Sequence, residues 1–250
     1  MLVSPIGGES VARWLAAAAV ELAAQPDVQA TLATACELAM TAVSADAAAV
    51  MLRRHGSLIV GAATPDVVHA EEMQLAIGEG PCLPGAADVD TFLVTDMGCE
   101  PRWPRWASHM VELGWGSCVS VRLPGRAGSS MGSLSVFSRR VGQFQHQDVE
   151  LTQLLVQHAS VAIAASRASE TLRQAVDARH AIGMAQGILM RRYGLDVDAA
   201  FATLRRYSQD HNQKLAAVAH HVIAEHDVPP DEHHLLADQD YPPRSGVPTS

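Results

Sequence analysis

Between Leu172 and Ile223 apolar residues recur at helical spacing in three runs, and the first run carries two glycines where a helix interior disfavours them. On a wheel of about 100° per residue, Leu172, Ala175, Ala178, Ala181, Ile182, Ala185, Ile188 and Leu189 share one arc, a small-residue face suited to close helix packing. Arg179, Gly183, Gln186, Gly187, Met190 and Arg191 fall on the other side. Gly183 and Gly187 are i,i+4 neighbours, and each costs roughly 1 kcal/mol relative to Ala. Two such costs beside two arginines and an amide point to something that approaches the backbone closely, against the alternative of another protein helix packed tightly on the glycines.

The punctuation that follows divides the rest into two short helices. Gly194 is placed to close the first helix in a left-handed cap, and Asp196 to open the second. In the second, Val197, Ala200, Phe201, Leu204 and Tyr207 line one face while Arg205, Arg206 and Gln209 point away. Asn212 is expected to cap the third helix, where Leu215, Val218, Ala219, Val222 and Ile223 form the buried stripe. Three amphipathic helices of this length fit a small bundle.

Along these residues the chain resembles the ANTAR domain, a three-helix RNA-binding module of bacterial antitermination regulators. The resemblance is carried by Arg179, Ile182, Ala185-Gln186-Gly187-Ile188-Leu189-Met190, Gly194, Ala200-Phe201, Leu204-Arg205, Ser208-Gln209, Asn212, Lys214-Leu215 and Val218-Ala219. It implies recognition of paired RNA stem-loops by a dimer, one loop per head. The contact residues it implies are Arg179, Gln186, Gly187, Arg191, Ser208, Gln209 and Lys214. Ser208, which lies toward the buried arc, can instead hold helix packing. The family often has Lys where this chain has Gln186; Gln donates hydrogen bonds but carries no charge.

Charge agrees once it is divided by region. The chain carries −9 overall, yet Arg167 to His226 holds eight basic and six acidic residues, leaving −11 to the remainder. Arginines concentrated in the helical segment are what local RNA contact requires. An aromatic share of 4% argues against a broad base-stacking sheet.

Upstream, the period alternates. Helices are expected from Ser10 to Ala24 and again after Asp27, then a hairpin of Ala47–Arg53 and Leu58–Ala63 around His55-Gly56-Ser57. A short helix over Glu71–Ile77, a strand at Phe92–Thr95, a helix over Trp103–Leu113 and strands at 117–123 and 133–138 follow. A long helix starts near Asp148. This region resembles a GAF domain of the kind joined to ANTAR modules, on Gly78-x-Gly80-Pro81-Cys82, Asp96, Arg102-Trp103-Pro104, Gly114, Gly132-Ser133-Leu134, and Phe144 with Asp148. The expected fold is therefore α+β: a GAF-like antiparallel sheet flanked by helices, joined by a long helix to a three-helix ANTAR bundle. The expected domains are a sensor at 1–165, a head at 166–228 and a disordered, proline-rich tail at 229–250.

GAF domains bind cyclic nucleotides, haem, bilins or small metabolites beside the sheet. The asparagine-containing cyclic-nucleotide pattern cannot be complete in a chain whose one Asn is Asn212, so the cofactor or ligand class is open. Cys82, Trp103 and Trp115 are the pocket candidates, Cys82 as a buried apolar thiol or as a redox or ligand-contacting one. A heptad reading of Leu151, Leu154, His158, Val161, Ala165, Ala168, Leu172 and Ala175 offers a parallel homodimer seam, against the alternative of a helix lying on its own domain.

Other chemistry is weak. Gly128-Ser129-Ser130-Met131-Gly132 matches G-x-S-x-G but leads into a strand, where an esterase nucleophile needs a strand-to-helix turn. His220-His221 and His233-His234 lack metal-ligand spacing and read as solvated. Four cysteines without a C-x-x-C pair fit a reduced, cytoplasmic protein. Glu21 interrupts the apolar run Trp14–Ala24, which reads as a surface helix rather than a secretion signal, and no stretch is long enough to cross a membrane. The expected function is a non-enzymatic, signal-responsive antitermination regulator. The alternatives are a DNA- or protein-binding regulator and an esterase built on Ser130.

Overall fold

The computed structural model describes residues 8–54, 57–83, 90–125 and 128–225, in two compact units divided between Glu170 and Thr171. The first holds α1 (Gly8–Ala23), α2 (Val28–Val43), β1 (Ala47–Arg54), β2 (Ser57–Ala63), α3 (Pro65–Ile77), β3 (Thr91–Val94), α4 (Pro104–Glu112), β4 (Ser117–Pro124) and β5 (Ser130–Ser138). A 48-residue helix, α5 (His146–Tyr193), carries the chain into the second unit, completed by α6 (Val197–Asp210) and α7 (Leu215–Glu225). The fold is α+β, as expected. The turn at His55-Gly56 and the proline-rich tail lie outside the described residues.

The five strands are antiparallel in the order β2-β1-β5-β4-β3. Alternation along each strand separates two faces. Ala48, Val50, Leu52, Val119, Val121, Leu123, Leu134 and Val136 pack on α1, α2 and α5 through Leu22, Leu32, Ala39, Leu155 and Ile163. The opposite face presents Ala47, Ala49, Cys118 and Phe137 to Val67 and Ala70 of α3 and to Trp106 and Met110 of α4. Ser120, Ser133 and Ser135 lie on this second face by the same alternation.

Three boundaries differ from expectation. α3 starts at Pro65, six residues before Glu71, because a proline in the first turn needs no N–H donor and already holds a helical φ. β5 starts at Ser130 inside the expected loop, where it pairs with Pro124. The first C-terminal helix is not short but is the end of α5.

In the second unit Ala181, Ala185, Leu189, Ala200, Leu204, Tyr207, Val218, Ala219 and Val222 form the core. Gly194 caps α5 at φ 69°, and Asp196 Oδ1 accepts from Ala199 N at 2.7 Å to open α6. Asn212 does not cap α7. It takes φ 51° in the turn after α6, a conformation Asn tolerates, and the Lys214 carbonyl accepts the first bonds of α7. The buried arc of α6 is also narrower than expected, with Val197 54% and Phe201 37% exposed, since two short helices against the end of α5 enclose little of α6 beyond Ala200, Thr203, Leu204 and Tyr207. Met190, expected on the outer side, packs against this core.

Candidate functional site

Gly183 and Gly187 lie on the exposed side of α5, and a Cβ added to either would meet nothing within 4 Å. Packing among the described residues therefore does not explain them. Arg179 and Arg191 are exposed on the same turns, and Arg205, Arg206, Gln209 and Lys214 are exposed on α6 and the turn before α7. Two of the seven expected contact residues serve the bundle instead. Gln186 Nε2 donates to the Val197 carbonyl at 3.2 Å, tying α5 to the start of α6. Ser208 Oγ donates to the Gln213 carbonyl at 2.6 Å, bracing the turn into α7.

In the first unit the expected pocket residues separate into two groups. Trp103 and Trp115 are buried in the cluster on the second sheet face, Trp103 edge-on to Phe92 and Trp106, and Trp115 tilted against Phe137. Guanidinium groups cover their outer sides: Arg102 lies 4.8 Å from the Trp103 ring and bridges Glu100 and the Leu93 carbonyl, while Arg139 lies 4.5 Å from Trp115 and pairs with Asp66. Such stacking stabilises wall positions more than it opens a pocket. The indole N–H groups of Trp106 and Trp115 are buried without a partner.

Cys82 is no apolar core thiol. Its Sγ sits 3.4 Å from Ser135 Oγ, 3.6 Å from Ser120 Oγ and Gln74 Nε2, and 3.8 Å from Glu71 Oε2. Its backbone N–H donates to Gln74 Oε1, and Gly80 (φ 141°) passes so close to that oxygen that a Cβ there would collide with it. Gln74 Nε2 also donates to Glu71 Oε2 at 2.7 Å, while Glu71 Oε1 and Ser133 Oγ are buried without partners. Burial pushes the Glu71 carboxyl up to about 8, and burial with the neighbouring Glu71 charge pushes the Cys82 thiol up to about 12. While it is so held, burial and the Glu71 carboxyl disfavour the thiolate form of Cys82.

The reading of the residues alone passed over Glu71, Gln74 and the three serines. A signal was present: Val67, Ala70, Glu71 and Gln74 stand at i, i+3, i+4, i+7, so the buried arc of α3 includes two polar residues. Ser133 and Ser135 repeat with the period of one strand face. A groove of about 660 Å³ lies elsewhere, between Asp90, Thr91, Arg122, Gln153 and Leu154, and contains none of the expected pocket residues. Ser130 Oγ donates to the Leu123 and Gly132 carbonyls within a strand, with no strand-to-helix elbow around it.

Family models match residues 25–164 as a GAF domain and residues 170–223 as an ANTAR domain. The chain belongs to the GAF family. It is a GAF–ANTAR protein, and no curated protein matches it. Among solved structures it is similar to the bacteriophytochrome RpBphP3 from R. palustris, with 16% identity and TM-score 0.56, covering 82% of this chain and 47% of that one. It thus spans about half the length of that protein. It is also similar to the GAF domain of an Acinetobacter phosphoenolpyruvate-protein phosphotransferase, with 14% identity, TM-score 0.51, and 66% and 99% covered. A third is the free methionine-R-sulfoxide reductase from Neisseria meningitidis in complex with its substrate, with 18% identity, TM-score 0.50, and 68% and 99% covered. At these identities the likeness is one of fold. GAF and ANTAR are regulatory domains, so the cluster around Glu71 belongs to a GAF sensory unit and the glycine-arginine face to an ANTAR unit. Among the described residues no helix is long and apolar enough to cross a membrane.

Proposed function

We propose that the chain is a signal-responsive transcription antitermination regulator, with a sensor at residues 1–165 and an RNA-binding head at 166–228. The observation that carries this reading is the open backbone at Gly183 and Gly187 between exposed Arg179 and Arg191. A helix accepts that loss of stability where a partner from outside the chain needs the space. Splayed loop bases and phosphates of an RNA hairpin meet such a face through close backbone approach and guanidinium contacts. Arg179, Gly187, Arg191, Gln209 and Lys214 are the contacts; Gln186 and Ser208 position them.

A homodimer presents two heads to paired stem-loops. On α5, Leu155 and Ile163 pack on their own sheet while the heptad positions Leu154, Val161 and Leu172 are 46%, 72% and 66% exposed, and a second copy covers them. Leu151, assigned to the same seam by its spacing, is instead buried in its own unit. At the sensor, the signal is a small molecule or a redox change, with Cys82 held among Glu71, Gln74 and the serines.

The test is mobility-shift binding of the protein to a tandem hairpin RNA, to its single-hairpin half, and to duplex DNA of the same sequence. Preferential binding to the tandem RNA is expected, and Arg179→Ala with Arg191→Ala lowers affinity and flattens its salt dependence. Equal binding to duplex DNA would make this a DNA-binding regulator. Binding unaffected by the two arginines would remove them from the contact surface.

A further inference from the structure

Glu71 is 0% exposed, with a carboxyl whose neighbours are all neutral. One oxygen accepts from the Gln74 amide and the Cys82 thiol; the other has no partner. The titratable groups on the elements packed around it are Cys82 in the following loop, Cys118 on β4 and Cys36 on α2, all thiols raised by burial and by Glu71 itself. On α4, His109 faces His69 of α3 and Glu112. The nearby cations are engaged elsewhere: Arg102 with Glu100 and Arg139 with Asp66. Among the described residues a carboxylate in such surroundings has no counter-charge, and an ionised group buried without one is expensive enough to take up a proton instead.

The same three groups hold the loop after α3 on the sheet. Gln74 anchors it at the Cys82 N–H, Gly80 fits only because it has no Cβ, and the thiol seats against Ser120 and Ser135. Whatever disturbs Glu71 is transmitted to Gln74 by their 2.7 Å hydrogen bond.

We propose that Glu71 is a proton-binding site of the sensor, and that the proton it holds keeps the Gly80-Pro81-Cys82 loop seated on the serine face of the sheet. This rests on the reading of the GAF unit as a sensor and makes proton binding one of its inputs. When the loop lifts, Glu71 meets water, its carboxyl returns toward its ordinary range, and the proton leaves. Opening is thus coupled to the release of one proton across the pH interval between the open and closed affinities, with burial as the cause of the difference.

The experiment is alkylation of the intact protein with iodoacetamide from about pH 6 to about pH 7.5, the adducts being located by peptide mass mapping. Exposed Cys99 serves as the internal reference, since both thiols share the roughly tenfold rise per pH unit of thiolate formation. The expected result is a Cys82-to-Cys99 rate ratio that itself climbs about tenfold per pH unit, the signature of one further proton released on opening. In Glu71→Gln the ratio becomes flat. A flat ratio in the unmodified protein overturns the proposal by itself, whether or not the variant folds, and so does a climb that persists in Glu71→Gln. No RNA enters the measurement, so its failure and the failure of the antitermination reading are separable.

Discussion

On one side of the sheet Val50, Leu134, Val136 and Val119 meet the aliphatic side chains of α2 and α5; on the other, Ser120 and Ser135 meet Cys82, which in turn meets Glu71 and Gln74. The strands are the same, and only the alternate residue differs. The first face is close-packed, and each side chain there contributes burial without a polar cost. The second encloses a carboxyl, a thiol, an amide and hydroxyls, with two oxygens unpartnered, each such atom costing about 1–3 kcal/mol. A chain selected only for stability would not keep the second arrangement. The same division recurs on α5, where Ala181, Ala185 and Leu189 are buried on one side while Gly183 and Gly187 lie open on the other. In both units a surface packed only with apolar side chains has behind it polar or open features that packing alone does not explain; on the sheet these sit beside a second apolar cluster around Trp106 and Phe137.

The largest expected effect comes from the aliphatic face. Leu134 is fully buried between β1 and β4, so Leu134→Ala removes methyl groups and leaves a cavity, and should lower the unfolding free energy by about 2–5 kcal/mol. Urea denaturation would measure it. A loss below about 1 kcal/mol would mean that this face is not the one that holds the sheet.

Next comes pH. The folded state binds the Glu71 proton more tightly than the unfolded state, whose value is near the ordinary 4.5. The stability it contributes is therefore complete below about that pH and declines as pH rises through the folded value of about 8, by up to ~1.4 kcal/mol per unit. Asp46 and Glu100 act oppositely: Arg139 N–H and Ser138 hold the first carboxyl low, Arg102 the second, and their contributions are lost only as pH falls through those lowered values. Thermal melts from pH 5 to 9 should thus fall toward alkaline pH in the parent chain and flatten in Glu71→Gln. Parallel curves would show that this face carries no proton-linked energy.

Much of this was legible beforehand and some was not, for reasons visible in particular residues. The hairpin, the α5 glycines, and the Gly194 and Asp196 caps follow from local spacing and local backbone chemistry, which neighbours in sequence decide. The Glu71 cluster joins residues 71, 74, 82, 120 and 135 across four segments, and only the sheet order places them together. Cys82 was found by its loop motif, but its polar surroundings were not, since nothing local shows which strand residues face it. Gln186 was legible as a hydrogen-bond donor; that its partner is the Val197 carbonyl depends on how α6 returns against α5.

A smaller effect, of opposite sign, belongs to the second unit. Gly187→Ala adds a Cβ that meets nothing among the described residues and removes a helix-interior glycine, so it should raise the unit's stability by roughly 1 kcal/mol. If RNA approaches this face as proposed, the same methyl would stand in its way, and mobility shifts should show weaker binding by a more stable protein. A variant that is stabilised and binds unchanged would leave Arg179 and Arg191 as the contacts and the glycine without a role.

The smallest effect is expected at the centre of the serine face. Ser135 Oγ donates to Ser120 Oγ at 3.0 Å and touches the Cys82 sulfur, a weak partner at 3.4 Å. Ser135→Ala deprives Ser120 of one bond, but it also removes a buried hydroxyl, and the two nearly cancel; a change within about 1 kcal/mol in denaturant unfolding is the expectation. The number matters against Leu134, its neighbour in β5, whose side chain enters the other face. Comparable losses from the two substitutions would mean that the hydroxyl network braces the sheet as firmly as the aliphatic layer does. The contrast between the aliphatic layer and the polar cluster behind it would then fail at the pair of residues where it is sharpest.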